Sequence, residues 1–200
     1  MSTVTNSSNP QPKGRIRWRR LALVLVPAVA VSGTLVGLTA EGALAASISV
    51  SGSAFTVASS QLNGTGFEQF GGVVTESNGT PHPVVISAMK SATLANLCQQ
   101  VSIGGISLVL HAGGGGNPAS ASNLIVDADS QTGDQATFTN ITIGQDAGTL
   151  TEDPGVVGAA GSFGQQADSV TITNLKQDTW LTTAGTFTLP GLSLGFGGSC

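Results

Sequence analysis

Beyond residue 47 the chain has almost no helical periodicity. It reads as short runs in which apolar residues alternate with Thr, Ser or Asn. Examples are Ile48-Ser49-Val50, Ala54-Phe55-Thr56-Val57, Val84-Val85-Ile86, Ile106-Ser107-Leu108-Val109-Leu110 and Leu124-Ile125-Val126. Phe138-Thr139-Asn140-Ile141-Thr142-Ile143, Val170-Thr171-Ile172-Thr173 and Thr186-Phe187-Thr188-Leu189 continue the pattern. Thr and β-branched residues suit a pleated, half-buried surface, and a period of two puts one face in the core. Breakers separate these runs: Asn63-Gly64, Gly71-Gly72, Asn78-Gly79, Gly113–Gly116 and Asp153-Pro154-Gly155. The expected fold is one all-β sandwich, jelly-roll or barrel-like domain of strands roughly 5–8 residues long. One short helix is expected around Thr93–Gln100.

An internal echo offers an irregular β-solenoid as the alternative. Ala92–Leu97, Ala136–Ile141 and Val170–Leu175 share a shape that ends in Asn followed by an apolar residue. Stacked rungs produce such echoes at a fixed period. Here the spacing is uneven, so the reading preferred is shared strand chemistry.

The first 46 residues are of another kind. They hold five of the seven basic side chains, Lys13, Arg15, Arg17, Arg19 and Arg20. Leu21–Ala40 follows without a charge, and then Ala43-Leu44-Ala45. A basic turn, an apolar stretch and an A-x-A site make an export signal cleaved between Ala45 and Ala46. Twenty helical residues also span ~30 Å, enough for a retained membrane anchor. The expected organisation is a cytoplasmic polar tail and basic region over 1–20, a signal peptide or anchor over 21–46, and an exported domain over 47–200. The expected location is the outer face of the cytoplasmic membrane, or a secreted or cell-wall form.

Charge excludes some partners. Residues 47–200 carry Lys90 and Lys176 against ten carboxylates, a net −8, while residues 1–46 carry +4. An exported domain of this charge is no nucleic-acid binder, because phosphate neutralisation needs Lys and Arg. Cys98 and Cys200 are an even pair, which in an oxidising compartment reads as a disulfide.

Motifs for chemistry are sparse. Gly191-Leu192-Ser193-Leu194-Gly195 matches the G-x-S-x-G elbow of serine hydrolases. The elbow needs a following helix, and that fold's chain order places a His after the Ser. The histidines, His82 and His111, both precede Ser193. They are the candidates for a general base, with Glu68, Glu76 or Asp127 as possible carboxylate partners. Asp127, Asp129 and Asp134 alternate like a calcium loop, but Thr132 and Phe138 stand where an EF-hand needs Gly and Glu. A solvated strand edge bearing charges against aggregation is the simpler reading of Asp127 and Asp129. Phe55, Phe67, Phe70, Phe138 and Phe163 are candidates for an apolar, lipid-accommodating groove or for the core. No cofactor is expected.

Taken together, several segments resemble an uncharacterised family of exported actinobacterial proteins often automatically labelled "cholesterol esterase". They are Arg15–Arg20 with Trp18, Val26-Pro27-Ala28, Gly42–Ala46, Gly64–Phe67, His82-Pro83 and Leu97-Cys98-Gln99. Ala136–Asn140, Asp146-Ala147-Gly148, Gly161–Ala167 and Ala184–Phe187 complete the set. The resemblance implies an envelope protein working beside a small multi-pass membrane protein, with no established activity to carry over. The expected function is therefore a non-catalytic envelope module, structural or interacting, with room for lipid. Partners are the membrane through Leu21–Ala40, the multi-pass protein and lipid. The competing classes are a lipid ester hydrolase and a calcium-dependent adhesion module.

Overall fold

The computed structural model describes residues 49–153 and 155–200. The basic region, the apolar segment Leu21–Ala40 and the site at Ala45 and Ala46 lie outside these residues. The described chain is all-β. Its strands are β1 (Phe55–Thr75), β2 (Pro81–Ala95), β3 (Leu97–Ile103), β4 (Ile106–Ala112), β5 (Ala119–Thr132), β6 (Gln135–Thr139), β7 (Thr142–Asp146), β8 (Phe163–Thr183), β9 (Thr186–Thr188) and β10 (Ser193–Phe196). One 3-10 turn, Ala147–Thr149, follows β7. Among the described residues no helix is long and apolar enough to cross a membrane.

Four long strands close the sheet on itself. β1 pairs with β2, β2 with β5, β5 with β8, and β8 again with β1, every pair antiparallel. Inside this ring lie Leu62, Phe67, Met89, Leu94, Leu124, Val126, Val170 and Leu175. β6 and β7 extend the outer edge of β8, and β9 the outer edge of β5. A flap leaves the ring on the other side. β3 pairs with the first residues of β1, β4 with β3, and β10 with β4. A rung-by-rung solenoid needs parallel neighbours, so the antiparallel ladders replace that alternative.

The strands are longer than the punctuation suggests, since β1 and β8 each run 21 residues. Asn63-Gly64 and Gly71-Gly72, read as breakers, lie inside β1, as does Gly66. Gly64 is there for close approach: a Cβ would collide with the Met89 side chain. At Gly66 the backbone is left-handed, with φ +61°, and the Lys90 side chain lies across it. Such residues bend a strand without ending it.

The echo noted in the sequence has the same cause. Its three Asn residues, Asn96, Asn140 and Asn174, are all left-handed, with φ between 48° and 53°, and Asn123 joins them. Asn tolerates this region better than other residues that carry a Cβ. The bends align across the sheet. Asn96 and Asn174 flank Ser60 on its two neighbours, and Gly66 lies one pair beyond Thr65, opposite Lys90 and Asp168. The bends also cross-link: Asn96 Nδ2 donates to Ser60 Oγ, Asn140 Nδ2 to Asp168, and Asn174 Nδ2 to Asp134. The short helix expected at Thr93–Gln100 is strand on both sides of Asn96. The bend flips side-chain parity, so Leu94 and Leu97, three apart, both face inward and imitate helical spacing.

Candidate functional site

Three groupings hold the chemistry-bearing side chains. The first is where the end of β1 and the start of β2 meet β8. His82 lies 2.7 Å from Glu76 Oε1 through Nε2. The His82 ring stacks on Trp180 at 3.8 Å between centroids, and Trp180 Nε1 donates to Asp129. Asn78 Nδ2 donates to the second Glu76 oxygen. His82 therefore has the carboxylate partner that sequence spacing left open, and both oxygens of that Glu76 carboxylate are engaged. The described chain begins beside it, with Val50 N donating to Thr75 O.

The second grouping is a strap. Residues 147–153 and 155–158 fold over Phe70 and Ile86, with Ala147 and Leu150 buried against them. Beneath it Glu68 is 0% exposed, and Asp153 N donates to Glu68 Oε1 at 2.6 Å. Glu68 Oε2 and Asp153 Oδ2 are buried without a partner. Burial raises the Glu68 pKa above the usual carboxylate value; the Asp153 N–H opposes the rise, and the Asp153 charge adds to it. Beside the strap, Lys90, Asn123, Ile125 and Val156 line an open depression of about 530 Å³.

Asp127 corrects an expectation. It is buried at 7% exposure, not a solvated edge charge, and burial pushes its carboxyl up to about 6. The reason is local. Register shifts on either side of Ala128 break the alternation, so Asp127 and the exposed Asp129 no longer share a face. Asp129 takes the Trp180 N–H and Asp134 the Asn174 amide, so the three candidate calcium ligands are held apart. Among the described residues no group of three His, Cys, Asp or Glu is placed to hold a metal ion.

The third grouping is the flap. A disulfide joins Cys98 on β3 to Cys200, with Cα atoms 5.7 Å apart. It holds the tail after β10 against β3, where Cys200 N donates to Gln100 Oε1. Ser193 stands directly opposite His111 across β10 and β4. Such partners face the same side. Ser193 is exposed on a sheet-edge strand, however, and glycines follow β10 where an elbow needs a helix. The five Phe candidates separate. Phe55, Phe67 and Phe138 belong to the main cluster, with Phe67 and Phe138 tilted at 5.4 Å, Phe70 lies under the strap, and Phe163 is exposed.

These features define a class: a disulfide-tied, all-β domain closed by four long antiparallel strands. Within that class the chain belongs to the family of unknown function DUF6230, whose model matches residues 51–200. No curated protein and no solved structure matches the chain.

Proposed function

We propose that this protein is an exported domain of the cell envelope with a structural or interaction role and no chemistry of its own. The observation that carries the reading is the Cys98–Cys200 bond, which closes a separation of 102 residues. Stable disulfides belong to oxidising compartments outside the cytoplasm. The basic turn and apolar stretch of the first 46 residues agree with it, as does the resemblance to exported actinobacterial proteins. Leu21–Ala40 tethers the domain to the membrane or is removed after Ala45, and a small multi-pass membrane protein is the expected neighbour. Fractionation of cells producing the full chain tests this. The expected result is a membrane or extracellular pool with both cysteines oxidised; a cytoplasmic pool with free thiols would defeat it.

A lipid ester hydrolase is the second reading, favoured only by Ser193 facing His111. It predicts that the pure chain cleaves a lipid ester and that Ser193→Ala abolishes the activity. Activity that survives Ser193→Ala removes Ser193 as the nucleophile.

A further inference from the structure

The ring buries its apolar face, but the flap does not. Cross-strand partners point the same way, so register alone places Phe55, Val101, Ile103, Ile106, Leu108, Leu110, Leu194 and Phe196 on one side of β1, β3, β4 and β10. Phe55, Val101, Leu108, Leu110 and Leu194 line an open groove of about 260 Å³, together with Ser51, Ser53 and the glutamines Gln99 and Gln100. Leu194 is 61% exposed and Phe196 77%, and Ile103 and Ile106 stand out at the hairpin tip. The opposite side is occupied: Gln100 bonds Ser107 and the backbone of Cys200, and the disulfide lies there.

Charge divides the molecule the same way. From Ser91 to Val126 and from Thr179 to Cys200 there is no Asp, Glu, Lys or Arg. No side-chain carboxylate therefore lies on β3, β4 or β10. Anionic head groups repel an acidic surface, which would turn the charge-free flap toward a membrane. Chain length brings it within reach. Ala40 and Ser51 are eleven residue steps apart, at most ~40 Å of extended chain.

We infer that the open face of the flap is a lipid-contacting surface, with Ile103, Ile106, Leu194 and Phe196 seated among the acyl chains of the bilayer to which Leu21–Ala40 anchors the protein. The inference rests on the envelope reading above. The side chains enter at interfacial depth, because the free edge of β10 keeps its backbone groups in water.

The test uses the full chain with Trp18→Phe, reconstituted in phosphatidylcholine vesicles with or without bromine on the acyl chains. Phe196→Trp and Ile106→Trp each add an indole to the flap at an exposed position, and Trp180 in the parent is the reference. The expected result is emission from the added indole that is lost in brominated lipid, while Trp180 emission persists. Added emission that survives bromine in both variants, with the disulfide intact by mass, overturns the inference. So does unquenched emission accompanied by cross-linking of copies through the flap, which would assign the face to a second chain. A cytoplasmic, thiol-bearing chain overturns the envelope reading and this inference together; unquenched indole in an exported, oxidised chain overturns this inference alone.

Discussion

β1 serves both the ring and the flap, and its two phenylalanines fare differently. Phe67, in the ring, is enclosed by β2, β8 and the facing Phe138. Phe55, where β1 meets the flap, lines an open groove. Both lie in the same kind of alternating strand and in the same continuous ladder. The difference is that the ring closes and the flap does not: β5 and β8 complete the enclosure around Phe67, while β10 ends the flap in a free edge. Alternation therefore declares an apolar face without saying what will cover it. The flap compensates in another way, through a covalent bond that holds the tail after its outermost strand against β3.

Four measurements separate the two regions. The largest effect is expected at the ring. Phe67→Ala should cost about 3–5 kcal/mol of unfolding free energy, read by denaturant titration, because it leaves a cavity in an enclosed site. A loss below about 1 kcal/mol would show that the ring is no better enclosed than the flap. Next comes the staple. Cys98→Ser with Cys200→Ser should lower stability by about 2–4 kcal/mol and expose β10 amides to hydrogen exchange while β1 and β8 stay protected. Equal loss of protection in ring and flap would mean that they do not unfold separately.

The third concerns the buried carboxyl of Asp127 in the ring wall. Its pKa is raised from 3.8 to about 6, so folding favours the neutral form. The stability it supplies is fully present below pH 3.8 and is lost as the pH rises through about 6. Asp127→Asn should then stabilise the protein at pH 7, by up to about 3 kcal/mol, and make little difference below pH 4. A Tm difference between wild type and variant that is the same at both pH values would refute the buried-charge account. The smallest effect belongs to the flap. Phe196→Ser should change stability in water by no more than about 0.5 kcal/mol, since the Phe196 side chain is mostly solvent-exposed. A large loss would mean that Phe196 is covered in solution.

Much of the candidate chemistry was half legible. The cysteine pair could be read because an export signal and an even count leave few alternatives. The pairing of His82 with Glu76 was one of three options, and only the hairpin between β1 and β2 selects it. Stacking of His82 on Trp180, 98 positions away, has no local signal. The burial of Asp127 was misread because a two-residue alternation with Asp129 looks like a solvated edge, and the register shifts around Ala128 are set by the partner strand β8. The opposition of Ser193 and His111 likewise depends on strand order.

The sequence by itself determined the all-β class, the absence of charge over the flap, the disulfide partners and the Asn and Gly residues able to take positive φ where the strands bend. Each follows from local preference or composition: β-branched residues on a pleated surface, Asn and Gly where φ is positive, two cysteines with no third. Tertiary structure alone decided that four strands close into a ring, that Glu68 and Asp127 lose their water, and that one apolar face stays open. These depend on which distant strands meet. That choice is made by the pairing free energy of whole ladders, and no window of neighbouring residues contains it.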